Sequence, residues 1–256
     1  MKTTLALTGD SILQRRLQSN ADPVVKPLFD LIRSCDAAFT NLEVLPNDYV
    51  GDPAFDSGGS HFGAPSWVLD DLVEAGFGMF ATATNHTLDY SIKGLEYALD
   101  QLDERGLCHA GAGRHLEDAR RAAYLTTPNS TFGLVACGST YTKGQEAARQ
   151  THAMQGRPGL NPLWPDSTYE VTADQMAVVQ NMAAGLGLEK FRQLRIGTGF
   201  AFEAPDGIFP FNGMNFRVAE KTQHVRHPNA RDLAAIIRWV EEAKLASDIA
   251  VVSIHA

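Results

Sequence analysis

The chain has 256 residues, 44% of them hydrophobic and 20% charged, with a formal net charge of −8 at pH 7. That length can bury the core of one large α/β domain, or of one domain with an insertion. The acidic balance excludes a general nucleic-acid binder, because phosphate recognition needs concentrated Lys and Arg.

Neither a signal-peptide apolar region nor a run long enough to span a bilayer is visible. Cys35, Cys108 and Cys137 show no CxxC spacing and fit thiols in a reducing compartment. The expectation is a soluble, cytoplasmic protein. An anionic substrate, small or polymeric, stays compatible with the acidic chain, because a bound divalent cation reverses the local field.

Thr3 to Thr8 alternates as a strand closed by Gly9-Asp10. Val24, Val25, Leu28, Leu31, Ile32 and Cys35 recur at helical spacing, and Ala37 to Leu42 returns as a strand. Pro65 opens a helix carrying Trp67, Val68, Leu69, Leu72 and Val73, which Gly76 stops. Gly78 to Ala83 is a buried strand leading into Asn85-His86. Ser91 to Arg105 is amphipathic, with Ile92, Leu95, Leu99 and Leu102 on one stripe.

Short strands are predicted near Leu107–Ala110, Tyr124–Thr127 and Phe132–Cys137. Asn229 is placed to cap a helix carrying Leu233, Ile236, Ile237 and Val240, and Ile249 to Ile254 is a β-branched strand. Residues 138 to about 228 break this rhythm, despite a Thr172-x-x-Gln175 capping box. They are read as an insertion or lid within a single 1–256 domain. Alternating strands and helices make the fold class α/β.

In such sheets reacting groups collect at the C-terminal strand ends. Four positions there carry metal-donor atoms: Asp10, Glu43, Asn85-His86 and His255. Oxygen and imidazole donors from separate strands are what a hydrolytic divalent-metal site needs. Taken singly, Asp10 also reads as a turn residue and His255 as a satisfied core histidine. Thr82, Thr84 and Thr87 offer hydroxyls around the ligands. Asp89 can either orient His86 or cap the helix beginning near Ser91, and the cap is the simpler reading. Gly111-Ala112-Gly113 fails the dinucleotide fingerprint, because Leu116 stands at its last position, and reads as a strand-to-helix turn. Arg157, in Gly156-Arg157-Pro158-Gly159, is a candidate for a substrate anion or a solvated loop cation, and His61 is a further candidate for facing substrate.

The run Gly9-Asp10, Asn41-Leu42-Glu43, Asn85-His86-Thr87-Leu88-Asp89-Tyr90, then Gly111-Ala112-Gly113-Arg114 and Ala119-Arg120, resembles the CapA family of poly-γ-glutamate capsule synthesis, related to calcineurin-like metallophosphoesterases. The resemblance covers residues 3–137 and returns over 229–255. It implies a four-layer αββα sandwich with one or two divalent ions, Mn, Fe or Zn, at the strand ends. By position, Asp10, Glu43, Asn85 and His255 are implied as metal ligands. His86 is implied as the histidine that assists the leaving group, with Asp89 behind it.

Two departures qualify the carry-over. Metallophosphoesterases of the usual kind have Asp-x-His, and here Ile12 stands two residues after Asp10. The family also continues past the His255 position, so a C-terminally truncated copy is expected, with apolar surface exposed around Ile249–Ile254 unless another segment or subunit covers it. The expected activity is metal-dependent hydrolysis of a phosphoester or a γ-glutamyl-type amide. The competing expectation is a non-catalytic accessory or polymer-binding protein of capsule biosynthesis.

Overall fold

Strand and helix alternate from the first residues in the computed structural model, which describes residues 2–17, 21–57 and 59–256. The order opens with β1 (Leu5–Ser11), α1 (Lys26–Arg33), β2 (Ala37–Leu42), α2 (Trp67–Glu74), β3 (Met79–Ala81), α3 (Ser91–Glu104) and β4 (Cys108–Ala110). These strands form a parallel sheet in the order β1-β2-β3-β4. Then come β5 (Ala112–Gly113), α4 (Leu116–Arg120), β6 (Ala123–Thr126), β7 (Thr131–Gly138) and β8 (Gly159–Leu160). Next are β9 (Pro165–Val171), α5 (Ala173–Gly185), α6 (Leu188–Gly197), β10 (Ile208–Phe211), β11 (Met214–Val218) and β12 (Gln223–Pro228). The chain closes with α7 (Ala230–Ala246) and β13 (Ile249–His255), which pairs in parallel with β7 in a second sheet ordered β13-β7-β6.

Period-two alternation explains how these sheets pack. Ala37 and Phe39 of β2, Met79 and Ala81 of β3, and Cys108 and Ala110 of β4 share one apolar cluster with Phe132, Leu134 and Ala136 of β7. Their alternate neighbours Ala38, Leu42 and Phe80 point the other way, into a cluster with Phe29 and Ile32 of α1 and Val68, Leu69 and Leu72 of α2. On β7, Val135 and Cys137 face Ile236 and Ala243 of α7. Each strand of β2, β3 and β7 is therefore buried on both faces.

Helix boundaries follow local chemistry. Gly76 adopts φ +107° after α2, where a side chain would press on the Arg33 backbone. α5 begins with the expected capping box: Gln175 N donates to Thr172 Oγ1, and Thr172 N donates to Gln175 Oε1. Gly111-Ala112-Gly113 forms the turn and short strand ahead of α4.

The chain divides into two compact units, residues 1–164 with 230–256, and residues 165–229. Within the stretch read as an insertion, residues 139–164 pack in the first unit and 165–229 form the second. The second unit is a four-stranded sheet, β10-β11-β9-β12, with α5 and α6. Across that sheet Tyr169 stacks on both Phe216 and His224, and Glu170 accepts from Arg217 and Gln223.

At the edge of the second sheet, Val252 and Ile254 of β13 are 44% and 54% exposed. Among the described residues no helix is long and apolar enough to cross a membrane.

Candidate metal centre

All four strand-end positions converge at one place. Asn41 shares the face of Ala37 and Phe39 on β2, and His255 shares the face of Ile249 and Val251 on β13, so both point into the space between the sheets. Asp10 reaches the same face through a β-bulge. Leu7 pairs with Phe39 but Asp10 with Asn41, so β1 carries one extra residue between those pairs. The extra residue turns Asp10 toward Asn41 instead of away from it.

Asn85 and His86 sit in a turn after β3 that threonines hold. Thr87 Oγ1 donates to the carbonyls of Thr82 and Thr84, and His86 N donates to Thr84 Oγ1 at 3.0 Å. Thr82 Oγ1 donates to Ala110 O. The threonine hydroxyls expected around the ligands are therefore engaged with backbone, and they shape the turn.

The central contacts are short. Asn41 Nδ2 lies 2.7 Å from Asp10 Oδ1, 3.3 Å from Glu43 Oε2 and 3.2 Å from His255 Nδ1. Asn41 Oδ1 is buried without a partner. His255 Nε2 donates to Asn85 Oδ1 at 2.7 Å, which leaves the Nδ1 lone pair toward Asn41 and Asp10. Glu43 Oε1 stands 3.8 Å from both His86 Nε2 and His255 Nε2. Its two oxygens thus address two donor sets, one around Asp10 and Asn41, the other around His86, His255 and Asn85.

His86 is oriented from behind. Its Nδ1 lies 2.7 Å from Asp89 Oδ2, and the same oxygen accepts from Phe62 N at 2.6 Å. Asp89 is fully buried. The N-cap position of α3 is Tyr90, with no side-chain capping bond. The capping role expected of Asp89 is corrected on this point: its side chain turns inward and fixes the Nδ1–H tautomer of His86, so that Nε2 faces Glu43. Phe62 stacks on the His86 ring at 4.2 Å and shields that side from water.

Electrostatics agree with a cation at the centre. Burial, reinforced by hydrogen bonding and charge from Asp10, pushes Glu43 up to about 7. Burial lowers His255, which favours the neutral form that metal binding requires. Among the described residues no Lys or Arg pairs with Asp10 or Glu43. Asp10, Glu43 and His255 each offer a ligand atom, all within 4.8 Å of one another. One amide N–H₂ sits among three acceptors while its own oxygen is orphaned, which is where a cation fits. The residues present suit a divalent metal.

Asn41 was not among the predicted ligands, although its i, i+2 spacing from Glu43 on a strand places it on the same face. Phe62 carried no signal in the sequence. His61, next to it, turns its Nε2 to Ala54 O at 2.8 Å and sets its ring edge-on to Tyr90. Arg157 donates to Glu146 O at 2.8 Å and pairs with its carboxylate at 3.3 Å, holding the 146–157 loop.

The family model described as "Bacterial capsule synthesis protein PGA_cap" matches residues 4–256. Two curated relatives, described as uncharacterized proteins y4sH and y4uA of Sinorhizobium fredii (strain NBRC 101917 / NGR234), are each 28% identical over 99% of this chain. The chain spans about half the length of these relatives, 53% in each case.

Proposed function

The chain belongs to the bacterial capsule synthesis protein family PGA_cap, and from that premise we propose that it is a metal-dependent hydrolase with a metallophosphoesterase-like αββα arrangement. The observation that carries this reading is the ring of Asp10, Glu43 and His255 around the Asn41 amide, with no cationic side chain among the described residues paired to Asp10 or Glu43. Asp10, Glu43, Asn85 and His255 would hold one or two ions, Mn, Fe or Zn, and Asn41 would join them once its amide is turned to offer the oxygen. When bound, such a cation would polarise a phosphoester or amide oxygen and acidify a water.

The remaining chemistry falls to the chain's own side chains. His86 Nε2 faces the donor cluster while Asp89 holds Nδ1, the arrangement of a proton donor to a leaving group. In its protonated form His86 gives the Nε2 proton to the departing oxygen or nitrogen, and Asp89 stabilises the imidazolium. Phe62 fixes the plane of the ring and excludes water from one face.

The test is metal content by elemental analysis of the protein beside an Asp10→Ala/Glu43→Ala variant. Near-stoichiometric metal that disappears in the variant is expected. Turnover of phosphoesters and γ-glutamyl amides should then drop on the order of 10²–10⁴-fold in His86→Ala with the fold retained. Absence of metal from the parent protein after reconstitution would refute the reading, and would favour a non-catalytic role in capsule biosynthesis.

A further inference from the structure

Asp89 is held by one oxygen only. Its Oδ2 takes both His86 Nδ1 and Phe62 N, while its Oδ1 is buried with no hydrogen-bond partner among the described residues. A buried carboxylate so sparsely bonded depends on each donor it has. The placement of the Phe62 amide therefore sets how firmly His86 is oriented. We infer that Asp48 is a positioning residue for His86, because it latches the segment that presents Phe62. The inference rests on the hydrolase reading for its purpose, though not for its geometry.

Residues 62–64 are zipped onto residues 45–48. Leu45 N donates to Phe62 O at 2.8 Å, Ala64 N to Leu45 O at 2.9 Å, and Asp48 N to Ala64 O at 3.0 Å. Asp48 closes this ladder with its side chain as well. Its Oδ1 accepts from Ser66 N and its Oδ2 from Tyr97 Oη, both at 2.7 Å. One carboxylate thus ties the ladder to the N-cap of α2 and to the body of α3. Gly63 fits tightly between its neighbours, since a Cβ there would lie 2.5 Å from the Tyr90 ring and 3.0 Å from Asn47 Oδ1. The segment is wedged beside Asp89-Tyr90 with little room to shift.

Backbone strain gathers at the same place. Among the described residues four non-glycine residues have positive φ, and three of them, Asp48 (+47°), Tyr49 (+60°) and Ser91 (+60°), lie in this loop and in the turn after Asp89. A bulky tyrosine in the left-handed region is unfavourable by itself and persists only where its surroundings fix it. Asp48 supplies the fixing bonds on one side. On the other, Ser91 Oγ donates to Asp52 O at 2.7 Å and Ala54 N donates to Asp89 O at 2.8 Å. Aspartate enters the left-handed region more easily than most residues and, unlike glycine, brings a carboxylate to hold the turn there. Asp48 is itself exposed, so its removal opens no cavity in the core.

The experiment reads the His86 ring and the Phe62 amide by ¹H–¹⁵N NMR in chelator-treated, metal-free protein at one fixed pH. The parent protein should show His86 protonated at Nδ1 alone, and a Phe62 amide proton shifted downfield by its short bond to a carboxylate. Asp48→Ala should return the Phe62 amide toward the ordinary range and let His86 mix both tautomers. Asp48→Asn keeps an oxygen for Ser66 N and tolerates the left-handed turn, so it should restore the parent signals. Tyr97→Phe removes one of the two side-chain bonds to Asp48 while keeping the ring, and should move both signals partway. In the metal-loaded protein Asp48→Ala should lower kcat about tenfold with KM held. Unmoved Phe62 and His86 signals in Asp48→Ala, or in Tyr97→Phe should the alanine variant not fold, would reduce Asp48 to a surface latch without influence on the site and overturn the proposal. The NMR signals need neither metal nor turnover, so this proposal and the hydrolase reading fail separately.

Discussion

The two units of the chain depart from the usual sorting of side chains in opposite directions. In the 1–164 and 230–256 unit, Asn41, Glu43, His86 and Asp89 are buried. In the 165–229 unit, Val178 and Met182 of α5, Leu186 just after it, and Phe191 and Leu194 of α6 are 52–66% exposed, and Phe202 is 96% exposed. Buried polar groups are costly unless hydrogen-bonded, so a cluster of them needs a tightly packed shell to hold it. The clusters around Phe80, Val68 and Phe132 supply that shell. The smaller unit instead leans on local devices: the Thr172 capping box, the bonds to Glu170 and the Tyr169 stack. The densest packing lies around the place where the strand-end polar groups converge.

Substitutions should divide along that line. Phe80→Ala, at a fully buried ring against α2, should destabilise the first unit by about 3–5 kcal/mol in a denaturant titration. A loss below about 1 kcal/mol would break the contrast.

The next effect is one of pH. Glu43 is pushed up to about 7 in the folded, metal-free protein from an ordinary 4.5, so the folded state holds an extra proton between those values. Its stability is therefore full below about 4.5 and falls as pH rises toward about 7. Glu43→Gln should flatten that window in thermal melts. Metal affinity should rise with pH over the same window, because binding displaces the proton.

Asp89→Asn should lower turnover about 10–100-fold while metal content is retained, since it disturbs the orientation of His86 from behind. Thr172→Ala should cost about 1 kcal/mol, read as faster hydrogen exchange confined to the first turn of α5. Phe202→Ala should change stability by under about 0.5 kcal/mol, as exposed positions do.

Much of the first unit was legible because its cause is local. Apolar runs of Ala37–Leu42 and Ile249–Ile254 became β2 and most of β13, and the stripe from Ile92 to Leu102 became α3. Residues 138–228 resisted, since the turns of 139–164 owe their shape to bonds with distant elements, such as Ser139 N to His255 O and Asn161 N to Gly111 O. The chemistry of the centre was also partly readable, because Asp10, Glu43, Asn85, His86 and His255 each follow a recognisable strand.

What the amino-acid order determined by itself is therefore the α/β alternation, the capping box and the donor types waiting at the strand ends. These depend on periodicity and neighbours a few residues apart. Tertiary structure alone decided the rest. Simple alternation from Leu5 and Leu7 points Asp10 away from Asn41, and only the bulge against β2 brings it back. Asp89 has both a capping and an orienting use open to it in sequence. The approach of Phe62 N and His86 Nδ1 settles the choice, because a buried carboxylate takes the donors that packing places within reach.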